Sequence, residues 1–164
     1  MTLPIVELFR HHAWANLELL AFCADAPPEA LDTAEPGTYG SIRDTLVHLV
    51  GAEQRYLAAL GETEPPVRVA EGEGFPGWDA LRTSAAWSGE RLAELAGVEP
   101  GGRIVRGVRR GEPFALPATL FLVQAVDHGK EHRTHVATIL GRHGIEPPEL
   151  DGWSFEPQLE RAEG

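Results

Sequence analysis

One cysteine, one methionine and one lysine are all that the 164 residues contain of these three types. A lone Cys23 excludes an intramolecular disulfide framework and suits a reducing compartment, so a cytoplasmic setting is expected. No stretch approaches the roughly 18 consecutive apolar residues of a membrane span. No basic segment followed by an apolar run opens the chain, so no secretory signal is read from it. Basic residues are also scarce: 14 Lys and Arg against 25 Asp and Glu leave a formal net charge of -11. An acidic surface repels phosphate backbones, which argues against a nucleic-acid partner. The one basic cluster is Arg103, Arg106, Arg109 and Arg110. It reads first as the solvated edge of a hairpin and second as a site for an anionic substrate.

What is present is a globular mixture. Hydrophobic residues make up 43% and charged residues 24%, enough to bury a core in a single domain spanning 1–164. Segment 3–24 has helical periodicity through Leu3, Val6, Phe9, Ala13, Leu17, Leu20 and Ala24, with Pro4 in the first turn and Pro27-Pro28 beyond its end. Ser41 is a good N-cap, with Asp44 where a capping-box acid would sit. The helix it opens runs from Ile42 to about Leu60 and stops at Gly61. Residues 61–76, rich in Pro, Gly and acids, read as a long surface loop whose length suggests a function. A third helix is expected from Trp78 to Ala96, and a short β-hairpin over 103–116. Pro117 would sit at N1 of a last helix reaching Leu140 and closed by Gly141. The tail, with Trp153 and Phe155, is expected to fold back over the bundle, where Trp153 reads first as a packing residue and second as a roof over a pocket. Four long amphipathic helices make an all-α four-helix bundle the economical architecture, with the hairpin before the last helix as a decoration.

The chemistry lies in the histidines. His128 and His132 are four residues apart, so their rings stack one turn above each other and can bite one metal ion. Surface helices carry such pairs without a metal, so the pair alone decides nothing. His48 lies in the apolar run Leu46-Val47-His48-Leu49-Val50 and needs a polar partner, because an unpaired buried polar group costs about 1–3 kcal/mol. A lone histidine in such a run is more often a hydrogen-bonded core residue than a ligand. As third ligand, however, it would complete a site built from facing helices. His135 points the same way as His128, one turn beyond His132. Glu131, Arg133 and His135 are therefore candidates for supporting the ligands or contacting substrate. His11 and His12 read as structural and His143 as a surface residue. The zincin pattern is absent, because Gly129 stands where its glutamate would follow the first histidine. A carboxylate-bridged di-iron bundle fails as well, for want of its Glu-x-x-His pairs.

Several scattered motifs fall in a specific order: Phe9 and Trp14-Ala15-Asn16, then Gly40-Ser41-Ile42 leading to Leu46-Val47-His48 with Glu53 and Tyr56-Leu57, then His128-x-x-x-His132-Arg133, then Leu150-Asp151-Gly152-Trp153-Ser154-Phe155. In this the chain resembles the DinB/YfiT-like family over roughly residues 5–156. The resemblance implies a four-helix bundle with one divalent metal on His48, His128 and His132, often in a homodimer. It also implies a small-molecule substrate. Some relatives of this kind are transferases or isomerases that use a low-molecular-weight thiol, and many have no assigned reaction. Thr134-His135 stands where Gly-Gln is frequent, and Glu131 where another His is. Those departures touch the substrate and the surroundings of the ligands, not the three histidines.

Three neutral imidazoles would leave the ion its full 2+ charge and at least one open position, the catalytic rather than the structural arrangement. Zinc and nickel suit imidazole best, with iron, manganese and cobalt also compatible. Three readings follow and stay open at this point. They are a metal-dependent thiol S-transferase or related isomerase, a metal-dependent hydrolase, and a non-catalytic metal-binding stress protein.

Overall fold

The computed structural model describes residues 3–62 and 64–162; the ends of the expected 1–164 domain and position 63 lie outside the described residues. Along the chain it forms α1 (Pro4–Ala24), α2 (Pro28–Leu31), α3 (Ile42–Ala59), α4 (Trp78–Val98), β1 (Ile104–Arg109), β2 (Glu112–Pro117), α5 (Ala118–Arg142) and α6 (Gly152–Ala162). Helices α1, α3, α4 and α5 make the bundle, and the hairpin precedes its last member, as expected for an all-α fold.

Local signals explain most boundaries. Pro4 opens α1, its missing N–H being one of those a helix start leaves free anyway. Ser41 Oγ accepts from Asp44 N at 3.1 Å and so caps α3. The Asp44 carboxylate turns back onto the Ser41 hydroxyl at 2.7 Å rather than onto a backbone N–H. Arg110 and Gly111 both take positive φ, which a two-residue type I′ hairpin turn requires, and the strands pair antiparallel from Ile104↔Pro117 to Arg109↔Glu112. Helix α4 runs through Gly97 to Val98 rather than ending at Ala96, and both ends of α5 also differ from expectation. Pro117 is still the last residue of β2 and caps α5 instead of lying inside it. Helix α5 runs past Gly141 to Arg142, and the left-handed residue that ends it is Gly144, at φ 70°.

The apolar core falls into two clusters. One holds Leu19, Leu20 and Cys23 of α1, Ile42, Leu46 and Leu49 of α3, Leu81 and Ala85 of α4, and Val136, Ile139 and Leu140 of α5. The other holds Phe9, Leu57 and Leu60, Leu92, and Ala118, Leu122 and Ala125. Helices α1 and α5 pass from the second cluster to the first, whereas α3 and α4 pass from the first to the second. The bundle is therefore up-down-down-up, with α1 packed on α4, α4 on α3, α3 on α5 and α5 on α1. Because α3 and α4 run parallel, their connection must return along the bundle. An 18-residue helix is about 27 Å long, which accounts for the length of the loop over 61–76. The return is anchored. The Gln54 side chain donates to Val67 O at 2.8 Å and accepts from Val69 N at 3.0 Å, and Ser84 Oγ donates to Val67 O at 2.9 Å.

Between the two apolar clusters lies a buried polar layer with one contribution or more from each long helix. Arg133 Nη1 donates to Asn16 Oδ1 at 2.6 Å and approaches His12 Nδ1 at 3.3 Å. A guanidinium can only donate, so His12 Nδ1 is the acceptor and Nε2 carries the proton. That proton goes to Glu53 Oε1 at 2.7 Å, which also accepts from Asn16 Nδ2 at 2.8 Å, while Ser88 donates to Glu53 Oε2. Every member is satisfied, and the opposite charges of Arg133 and Glu53 are joined through a neutral imidazole and an amide. Burial pulls the Arg133 guanidinium down to about 10, and Glu53 pushes it back up, so it stays charged at neutral pH. Gly129 makes this layer possible. A Cβ there would lie 2.3 Å from His12 Cε1 and 3.1 Å from Arg133 Nη1.

The tail folds back only in part. Phe155 is buried against Trp14 and His11, with ring centroids 5.4 and 5.5 Å apart, and His11 Nε2 donates to Leu150 O at 2.9 Å. Trp153 is 82% exposed, so among the described residues it neither packs in the core nor covers a pocket.

Candidate metal centre

Helices α3 and α5 are antiparallel neighbours, and their seam brings His48 opposite His128 and His132. His128 Nε2 lies 2.9 Å from His48 Nε2 and 3.0 Å from His132 Nε2. His128 and His132 are buried and His48 is half-buried. A ring nitrogen carries either one proton or one lone pair, so His128 Nε2, in contact with both other rings, is poorly satisfied by hydrogen bonds alone. The spacing suits a shared cation. Two nitrogens held about 2.05 Å from one ion stand about 2.9 Å apart at a right angle and about 3.3 Å apart at the tetrahedral angle. The donor set thus suits a divalent ion, and the two short distances match that spacing, with all three ligand atoms within 4.8 Å of one another.

Electrostatics favour the ligand form. Burial, reinforced by the neighbouring imidazoles, lowers both His128 and His132 to about 4. Both are neutral at pH 7, and a metal would displace no proton from them. Behind the ligands stand further groups. His135 Nδ1 is 3.3 Å from His132 Nδ1, so one ring can hold the tautomer of the other. Glu71, from the α3–α4 connection, places Oε2 2.9 Å from His48 Nδ1. Tyr39 stacks on His48 with centroids 3.9 Å apart and planes at 18°. The Tyr56 ring lies edge-on to His128, 6.0 Å away.

The other candidates are placed as follows. Arg133 is buried, and its donors face Asn16 and His12 in the polar layer. Glu131 is exposed. Arg103 pairs with Glu99 and donates to Leu60 O, while Arg106, Arg109 and Arg110 are exposed on the hairpin. Cys23 is sealed in the core, and burial pushes its thiol up to about 12. Glu71 and Tyr39 were not singled out from the sequence. The signal available for Glu71 was only an acid in a loop too long to be idle.

The fold and the site together define a helical bundle with one parallel helix pair and three imidazoles on one seam that could hold a metal ion. The comparison with known families agrees with the fold: a model of the DinB family matches residues 1–162. The chain belongs to the DinB family. No curated protein matches it.

Proposed function

We propose that the protein binds one divalent metal ion through His48, His128 and His132 and uses it in a thiol S-transfer or a related isomerisation. The observation that carries the metal reading is the approach of His128 Nε2 to His48 Nε2 at 2.9 Å and to His132 Nε2 at 3.0 Å, with His128 and His132 kept neutral by burial. A bound divalent ion supplies Lewis-acid activation of a coordinated thiol or water at neutral pH. The chain's own part is to present three uncharged donors, which leaves the ion its full charge and open positions. Tyr39 and Tyr56 flank the cluster with aromatic surface against which a small acceptor can lie. The chain's one thiol is buried and held protonated, so a thiol nucleophile has to come from a low-molecular-weight cofactor. Zinc or nickel is the expected metal.

The test is to load the protein with zinc or nickel and offer several small thiols with electrophilic acceptors. Turnover that disappears in His48→Ala supports the reading. Turnover of activated esters or amides without thiol would replace it by a hydrolase. Metal binding without either would make the protein a non-catalytic metal binder.

A homodimer and a cytoplasmic setting belong to the same proposal. No described helix is long and apolar enough to cross a membrane, and the free Cys23 suits a reducing compartment. Support for pairing comes from exposed apolar side chains of α1 and α5. Ile5, Leu8 and Val123 line an open groove of about 470 Å³, with Leu120 exposed on the same helix as Val123. Sedimentation across a concentration series, with Val123→Glu as the disrupting variant, tests it.

A further inference from the structure

We propose that Glu71 is the positioning carboxylate of the three-histidine site, fixing the tautomer of His48 so that its Nε2 lone pair faces the ligand cluster. The inference rests on the metal reading above and adds a residue that lies outside the helices.

Glu71 Oε2 is 2.9 Å from His48 Nδ1, in an approach oblique to the ring N–H. An ionised carboxylate only accepts, so the proton on His48 belongs at Nδ1 and the lone pair at Nε2. The carboxylate is itself held on both oxygens. Tyr39 donates its hydroxyl to Oε2 at 2.8 Å, and Arg55 Nη2 lies 2.7 Å from Oε1. The Tyr39 ring, stacked on His48, limits rotation of the imidazole about its own axis.

The backbone that carries Glu71 is fixed to α3 and α4. Gln54 clamps Val67 and Val69 through both ends of its amide, and Ser84 holds Val67 from α4. Gly51 lets Val69 approach α3, because a Cβ there would lie 3.1 Å from Val69 O. The connection that topology requires between parallel helices is thus tied down two residues before the acid that reaches His48. Carboxylates behind a ligating histidine set its tautomer and raise its basicity, and their loss weakens metal affinity about 10–100-fold.

The experiment has two readouts on the same variants. In metal-free protein, ¹⁵N shifts of the His48 ring report which nitrogen is protonated. Wild type should show the Nδ1–H form, and Glu71→Ala should lose that bias. Zinc affinity is then measured by competition with a chromogenic chelator. Glu71→Ala should bind 10–100-fold more weakly, and Glu71→Gln, whose amide oxygen can still accept, should recover part of the loss. Thermal unfolding of the metal-free variants controls for misfolding. Affinity of Glu71→Ala within twofold of wild type, or an unchanged His48 tautomer, overturns the inference and leaves the metal reading standing. Wild type that takes up no zinc overturns both.

Discussion

In a solvent-exposed helix, replacing glycine by alanine stabilises by about 1 kcal/mol through helix propensity. At Gly129 the structure predicts the opposite sign. The new Cβ would fall 2.3 Å from His12 Cε1, 3.0 Å from His12 Nδ1 and 3.1 Å from Arg133 Nη1. Restoring a contact of about 3.5 Å means moving the imidazole by about 1 Å. Such a shift breaks the 2.7 Å bond from His12 to Glu53 or the approach of Arg133 to His12. Both charges are buried, and breaking a buried charged network typically costs about 3–5 kcal/mol. After the propensity gain, Gly129→Ala should be destabilised by about 2–4 kcal/mol. Urea unfolding of metal-free protein, followed by far-UV dichroism, gives the number directly through the midpoint at constant m. A variant more stable than wild type by about 1 kcal/mol would show that the polar layer is not held as described.

Three further outcomes follow. Because the folded-state values of His128 and His132 lie near 4, below the unfolded 6.5, the unfolded chain binds more protons between those values. Metal-free stability should therefore fall as pH drops through that window, and bound zinc should protect against the loss; a flat profile from pH 6.5 to 4 would contradict it. Cys23 should resist an aromatic disulfide reagent in the native protein and react fully in denaturant, since its thiol is buried and pushed up to about 12. Phe155→Ala should cost about 3 kcal/mol, whereas Trp153→Ala, at a position 82% exposed, should stay within about 0.5 kcal/mol, both read from thermal melts.

The readable parts of the fold were those governed by local chemistry. Pro4, Ser41 and the apolar periodicity place α1 and α3 within a residue or two, because caps and stripes act over one or two turns. The short turn of helix α2 was missed, since two adjacent prolines look like a stop, yet Pro28 also starts a helix well. The parallel course of α3 and α4 left no local mark apart from the length of the loop that joins them. Sequence therefore suggested a functional loop where topology already demanded a long one, and the acid on it that reaches the histidine cluster, Glu71, emerges only from its contact with His48.

The site shows the same division. His128 and His132 follow from spacing on one helix, and the family-like order of motifs singled out His48. The polar layer was not legible, because His12, Asn16, Glu53, Ser88 and Arg133 come from four helices and meet only through the packing. Arg133 illustrates the limit. Adjacent to His132 in the chain, it invited a role at the metal or substrate, but one step along a helix turns a side chain by about 100°. That step carries its guanidinium into the interior, onto Asn16 and His12.

The central claim is that three imidazoles on the α3–α5 seam hold one divalent ion. Elemental analysis of purified protein, dialysed after exposure to zinc or nickel, measures it most directly. The account predicts one metal per chain in wild type, lost in His128→Ala while the helical dichroism is retained. Equal metal in wild type and variant, or none in wild type, would contradict it.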